Sequence, residues 1–141
     1  MHLLDSNIIS AAMAADETVV ARLTRVGRGD LAISCVTLAE ILYGLAKASA
    51  KVGSPPSHVH RKEQLFRQLM DHIDVLAWDS EAASAYAAER VACEADGQAL
   101  DRADLMILAH ASSTGRTLVT RDSALQRRDK KGPYKTRVVG W

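Results

Sequence analysis

The sequence predicts a single α/β domain over residues 1–141: a central, mostly parallel sheet of about four to five strands flanked by helices. Three observations carry this. Short apolar runs alternate with amphipathic, helix-periodic stretches, the pattern of strands joined by helical crossovers. The chain has 141 residues, 48% of them apolar and 25% charged, which suits one buried core. The apolar residues come in short runs rather than a block of about 20, so no membrane span is expected.

Leu3-Leu4 reads as a buried strand ending at Asp5, with Ser6-Asn7 handing over to a helix that starts in Ile8-Ile9. Because Asp5 interrupts this stretch and no basic segment precedes it, the N-terminus reads as part of the fold and not as a signal peptide. Asp16 is placed to cap a helix through Val19, Val20, Leu23 and Val26, with Gly27 and Gly29 closing it. Leu31 to Ser34 is a second strand. Thr37-Leu38-Ala39-Glu40 has the spacing of a capping box and predicts a helix to about Ala48, with Glu40 in its first turn. Gly53-Ser54-Pro55-Pro56-Ser57 breaks the chain, and Val59 to Ile73 forms the second arm of a helical hairpin. Val75 to Trp78 is a third strand, Ser80 to Ala95 an Ala-rich helix closed by Gly97, and Ala103 to Ser113 a mostly apolar helix. Thr117 to Thr120 and Arg137 to Val139 complete the sheet.

Charge is nearly balanced overall, at +1. It is unevenly spread: residues 121–141 hold seven Lys/Arg against two Asp/Glu, leaving eleven basic against fifteen acidic residues before them. Global charge therefore does not mark a nucleic-acid binder, whereas Arg121, Arg127, Arg128, Lys130, Lys131, Lys135 and Arg137 form a stretch that suits either a phosphate backbone or a solvated turn. Cys35 and Cys93 show no zinc or disulfide spacing and fit a reducing cytoplasm. His58, His60 and His72 lack metal-ligand spacing. His110, six residues beyond Asp104, reads as packing or surface.

In open α/β sheets ligands bind beyond the carboxyl ends of the strands. Here those ends are acidic: Asp5 leaves the first strand and Asp122 the fourth, while Glu40 and Asp104 open helices. Taken singly, each is explained by helix capping. Taken together they are not, because carboxylates gathered at one sheet edge repel unless protonated or neutralised by a cation. An oxygen-only donor set selects a hard ion, Mg2+ or Mn2+, and Mg2+ recruits phosphate oxygens.

Leu3-Leu4-Asp5-Ser6-Asn7, Thr37 to Gly44, Ala103 to Ala111 and Leu118 to Asp122 resemble, in order and across the chain, the motifs of PIN-domain ribonucleases, and among them VapC-type toxins of toxin–antitoxin pairs. The resemblance implies an acidic site of Asp5, Glu40, Asp104 and Asp122, with Asp5, Asp104 and Asp122 holding metal and Asn7 and Thr120 ordering water or ligands. Ser6 stands where relatives carry Thr, and relatives often carry Asn at the position of Asp122. Asp101 is a rival ligand whose spacing to Asp104 is that of a cap, and Arg121 is placed for the substrate phosphate or an inhibitor's carboxylate. The resemblance further implies an RNA substrate, a cognate antitoxin and a homodimer. Helix-in-groove binding is the mode that fits the apolar surplus of Leu38, Ile41, Leu42, Leu45, Leu65, Phe66, Leu69 and Met70. A phosphatase using Asp5 as nucleophile is the first alternative, although Asn7 stands where its second Asp belongs. A catalytically silent PIN-like binding module is the second. No phosphate-binding GxxxxGK[ST] loop appears.

Overall fold

The computed structural model describes residues 1–27, 29–50 and 56–141. Its sheet contains β1 (His2–Leu4), β2 (Leu31–Ser34), β3 (Asp74–Leu76), β4 (Thr117–Val119) and β5 (Val138–Val139), in the order β3-β2-β1-β4-β5. Every neighbouring pair is parallel, with Leu4 level with both Ile33 and Val119.

Alternation along the strands divides the core in two, as the strand period of two requires. Leu4, Ile33 and Val119 face α1 (Ser6–Met13), α2 (Glu17–Arg25), α3 (Cys35–Ala50) and α4 (Pro56–Met70), whose Ile8, Ile9, Val19, Ile41, Leu45 and Phe66 close that layer. Leu3, Ala32 and Leu118 face the other way, onto Ile107, Leu108 and Ala111 of α6 (Arg102–Ser113) and Leu125 of α7 (Ser123–Gln126). The Ala-rich α5 (Ser80–Ala95) packs on α6, its small side chains allowing close approach. The fold class, an α/β domain with a parallel five-stranded sheet between helices, is the one the sequence predicts.

Three local readings change. The capping box at Thr37 and Glu40 does not form: β2 runs straight into α3 at Cys35, the Ser34 hydroxyl accepts from Val36 N at 3.1 Å, and Thr37 is buried in the core. Glu40 therefore lies in the second turn. Arg128, read with the basic stretch, is fully buried, with Nη1 at 2.6 Å from Asp96 and Nη2 at 3.6 Å from Glu89, so it cannot track a phosphate backbone. α7, too short for periodicity to reveal, follows Asp122. Of the predicted break, residues 53–55 lie outside the described residues, as do Arg28 and the side chain of His58. Among the described residues no helix is long and apolar enough to cross a membrane.

Candidate functional site

The sheet order places a crevice at its centre: from β1 the chain turns one way to β2 and later the other way to β4, so the exits of β1 and β4 diverge around a topological switch point. Asp5 sits there, 3% exposed, in extended conformation as the N-cap of α1. Its Oδ1 accepts from Ser6 N at 2.7 Å, satisfying a helix-end donor. Its Oδ2 accepts from Asn7 Nδ2 and from the Thr120 hydroxyl, both at 2.6 Å.

Thr120, wholly buried at the end of β4, joins this group to its neighbours. Its Oγ1 also accepts from Asn7 Nδ2 at 3.0 Å and from Asp122 N at 2.9 Å. The Asn7 carbonyl accepts from Arg121 N at 3.0 Å, so one amide ties the exit of β1 to that of β4. Asp122 caps α7 through Oδ1, which accepts from Leu125 N at 2.8 Å. Asp101 caps α6 and accepts from Ala103 N and Asp104 N. Capping and convergence thus coexist, since the caps at Asp101 and Asp122 use one carboxylate oxygen only.

Mutual repulsion links these groups. Burial first, then the negative charges of Asp101, Asp5, Asp122 and Glu40, push the Asp104 carboxyl up to about 6. Asp5 is raised by burial, against hydrogen bonds from Thr120, Ser6 and Asn7, with Asp122 adding to the rise. Glu40 is raised by burial, with the Ser6 hydroxyl opposing and Asp5 and Asp101 reinforcing. Its Oε2 is buried without a hydrogen-bond partner, a costly state for a carboxylate oxygen. Among the described residues no three of these acids close on a common point as tightly as a metal ion would need. Their chemistry still fits one: hard oxygen donors, an orphaned Oε2, and mutual repulsion that a cation would relieve.

A comparison with protein families matches residues 2–131 to the PIN domain. This chain belongs to the PIN domain family. The curated tRNA(fMet)-specific endonuclease VapC of Shigella flexneri is 28% identical over 121 residues, 86% of each protein. Among solved structures, FitAcB from Neisseria gonorrhoeae superposes with a TM-score of 0.77 at 27% identity, covering 98% of this chain and 96% of that one. DNA-bound VapBC from Salmonella typhimurium gives 0.78 at 25%, covering 99% and 97%. VapBC2 from Rickettsia felis, bound to a DNA fragment from its promoter, gives 0.81 at 21%, covering 99% and 98%, a likeness of fold alone.

In this PIN domain the sequence-predicted acids Asp5, Glu40, Asp104 and Asp122 stand at one sheet edge, with Asn7 and Thr120 bracing Asp5. Arg121 lies beside them, but its guanidinium rests elsewhere: Nε donates to the Trp141 carbonyl at 2.7 Å and Nη2 pairs with Asp16 at 2.9 Å. His60 is exposed and near Glu63, while His110 is buried with Nδ1 at 2.8 Å from Ser34 Oγ, and burial holds its pKa below the usual value. Neither joins the acids. Sequence reasoning missed the bearing of Ser6 on Glu40, for which adjacency to Asp5 is the sole signal. It also missed the pairing of Glu89 with Arg128, 39 residues apart and carried by no local pattern.

Proposed function

We propose that this PIN domain is a metal-dependent endoribonuclease and the toxin of a type II toxin–antitoxin pair, acting in the cytoplasm. The observation that carries the reading is the gathering of acids at the switch point between β1 and β4, where buried Asp5 is braced by Asn7 and Thr120 and Asp122, Asp104 and Glu40 lie near enough to repel it and one another. An array that repels itself in this way is suited to a cation. The substrate class is supported by a relative, since the Shigella flexneri protein is named as a tRNA(fMet)-specific endonuclease. An antitoxin as partner is likewise supported, since the structures this chain resembles include a VapBC complex from Salmonella typhimurium.

Asp5, Asp104 and Asp122 would hold Mg2+ or Mn2+. When bound, such an ion acidifies a water and neutralises charge on the scissile phosphate. The chain's own part is positional and proton-directing. Thr120 and Asn7 fix Asp5 Oδ2 by two short hydrogen bonds, so that oxygen cannot rotate away. Glu40 Oε2, unpartnered and raised in pKa, is suited to accept a proton from the attacking water. Arg121 has N–H groups left after Asp16 and Trp141 are served, and these are assigned to substrate phosphate. Leu42 and Tyr43, exposed on α3, are assigned to contact with a second copy. Asn7, standing where such a phosphatase carries its second Asp, supports the nuclease reading over a phosphatase that uses Asp5 as nucleophile.

The test is cleavage of a mixed structured-RNA pool by the purified protein in Mg2+, Mn2+ or EDTA, with Asp5→Asn as control. Cutting that needs metal and vanishes in the variant is expected. An inert wild type, or cutting that survives in EDTA or in Asp5→Asn, would overturn the reading.

A further inference from the structure

A cleft of about 340 Å³ opens off the acidic site between α1, α3 and α4, with Glu40 in its wall and the rest of its lining given no role above. Two helical rows lead into it from the acids. Ser6, next to Asp5, is followed one turn later by Ser10, and Glu40 is followed one turn later by Gly44. Met13 and Leu45 give it apolar surface, and Lys62 of α4 brings a positive charge. Its volume is at the small end of the range for ligand pockets, about 300–1,000 Å³.

Gly44 widens the cleft. Glycine inside a helix is unfavourable relative to alanine, and a close approach or an unusual backbone is the usual structural reason for it. Neither applies: a Cβ built at Gly44 meets no atom within 4 Å, and its φ is not positive. The missing side chain thus leaves open space at the cleft wall, one turn from Glu40.

We propose that this cleft seats the nucleotide adjoining the scissile phosphate of a single-stranded RNA segment, its base against Met13 and Leu45, its edge toward Ser6 and Ser10, and its backbone near Lys62. Continuity with Glu40 and Ser6 selects an occupant attached to the reacting phosphate, and Lys62 selects one carrying negative charge. Single-stranded RNA is the form whose bases can splay out of a stack and enter a protein cleft. The inference rests on the ribonuclease reading and adds a determinant of where the chain cuts.

The experiment uses an oligonucleotide spanning a mapped cleavage site, intact or with an abasic ribose on each side of the cut in turn. Gly44→Leu should keep the melting temperature at or above wild type, because leucine favours helix and the space is open. It should lower kcat/KM on intact RNA on the order of tenfold or more, the loss expected for a displaced base. One of the two abasic substrates should slow wild type similarly and slow Gly44→Leu no further. In an Asp5→Asn background, Gly44→Leu should weaken binding of the intact oligonucleotide. Wild-type cleavage by Gly44→Leu, or losses that multiply in full with both abasic substrates, would overturn the assignment. So would a variant that cuts RNA normally but no longer binds its antitoxin, which would give the cleft to the protein partner. Cutting that persists in Asp5→Asn would instead defeat the nuclease reading itself.

Discussion

Replacing Asp104 with Asn should make the metal-free protein more stable at neutral pH, against the usual expectation for a residue in the first turn of a helix. The carboxyl rises from 3.8 to about 6 on folding, through burial and then the surrounding acids. At 1.36 kcal/mol per pKa unit this sets a ceiling of about 3 kcal/mol on the cost of keeping it ionised in the fold. Asp104 is only half-buried, so solvent screening reduces the figure to about 1–2 kcal/mol. Losing a negative charge near the α6 N-terminus takes back about 0.3–1 kcal/mol, leaving a net gain of about 1 kcal/mol. Between about pH 4 and pH 6 the folded chain binds a proton at Asp104 that the unfolded chain has released, so wild-type stability falls as pH rises through that window. The advantage of Asp104→Asn should therefore be absent below about pH 4 and complete above about pH 6. Thermal melts in EDTA at several pH values measure it, as a difference of about 3–4 °C at pH 7.5. Millimolar Mg2+ should then raise the wild type more than the variant. A variant less stable than wild type at pH 7.5 in EDTA, or a gain that does not change with pH, would refute the reasoning and leave Asp104 as a capping residue only.

Thr120→Val keeps shape but strips the hydroxyl that donates to Asp5 and accepts from Asp122 N, so a loss of about 1–3 kcal/mol by urea titration and a fall in RNA cleavage should appear together. Arg128→Met leaves Glu89 buried without its countercharge and should cost about 3–5 kcal/mol in the same titration, while the double variant with Glu89→Leu should recover most of it. Gly132→Ala should destabilise the same region: its φ is +70°, and the added Cβ would collide with the Glu89 carboxylate, which a lowered melting temperature would register. Neither change at the Glu89–Arg128 pair should alter the metal requirement of cleavage in the surviving folded fraction.

The strands were legible because each is a short buried run, and the caps at Asp16 and Asp101 because an acid just before a helix has one local explanation. Glu40 was misplaced for a physical reason. Thr-x-x-Glu serves equally as a capping box or as a buried Thr followed by an acid one turn deeper, and only the absence of a loop after β2 separates the two. Arg128 was hidden by its neighbours, since a basic residue among basic residues looks solvated until Glu89 and Asp96, remote in sequence, fold over it. Asp5 and Asp122 were readable together because strand exits of a parallel sheet share an edge, whereas Asp104 leaves no strand and opens α6, the helix that runs back to the start of β4.

The crossings from strand to helix at that edge are very short: Asp5 alone separates β1 from α1, nothing separates β2 from α3, and residues 120–122 separate β4 from α7. Insertions and deletions are therefore forbidden here and permitted on the far side. One residue added between Ser34 and Glu40 turns Glu40 by about 100° around its helix, out of the crevice. The same residue added between α2 and β2 lengthens a surface connection and moves no acid. Length variation among relatives of this chain should accordingly gather at the opposite edge, and an engineered tag or linker inserted there should leave the acids in register.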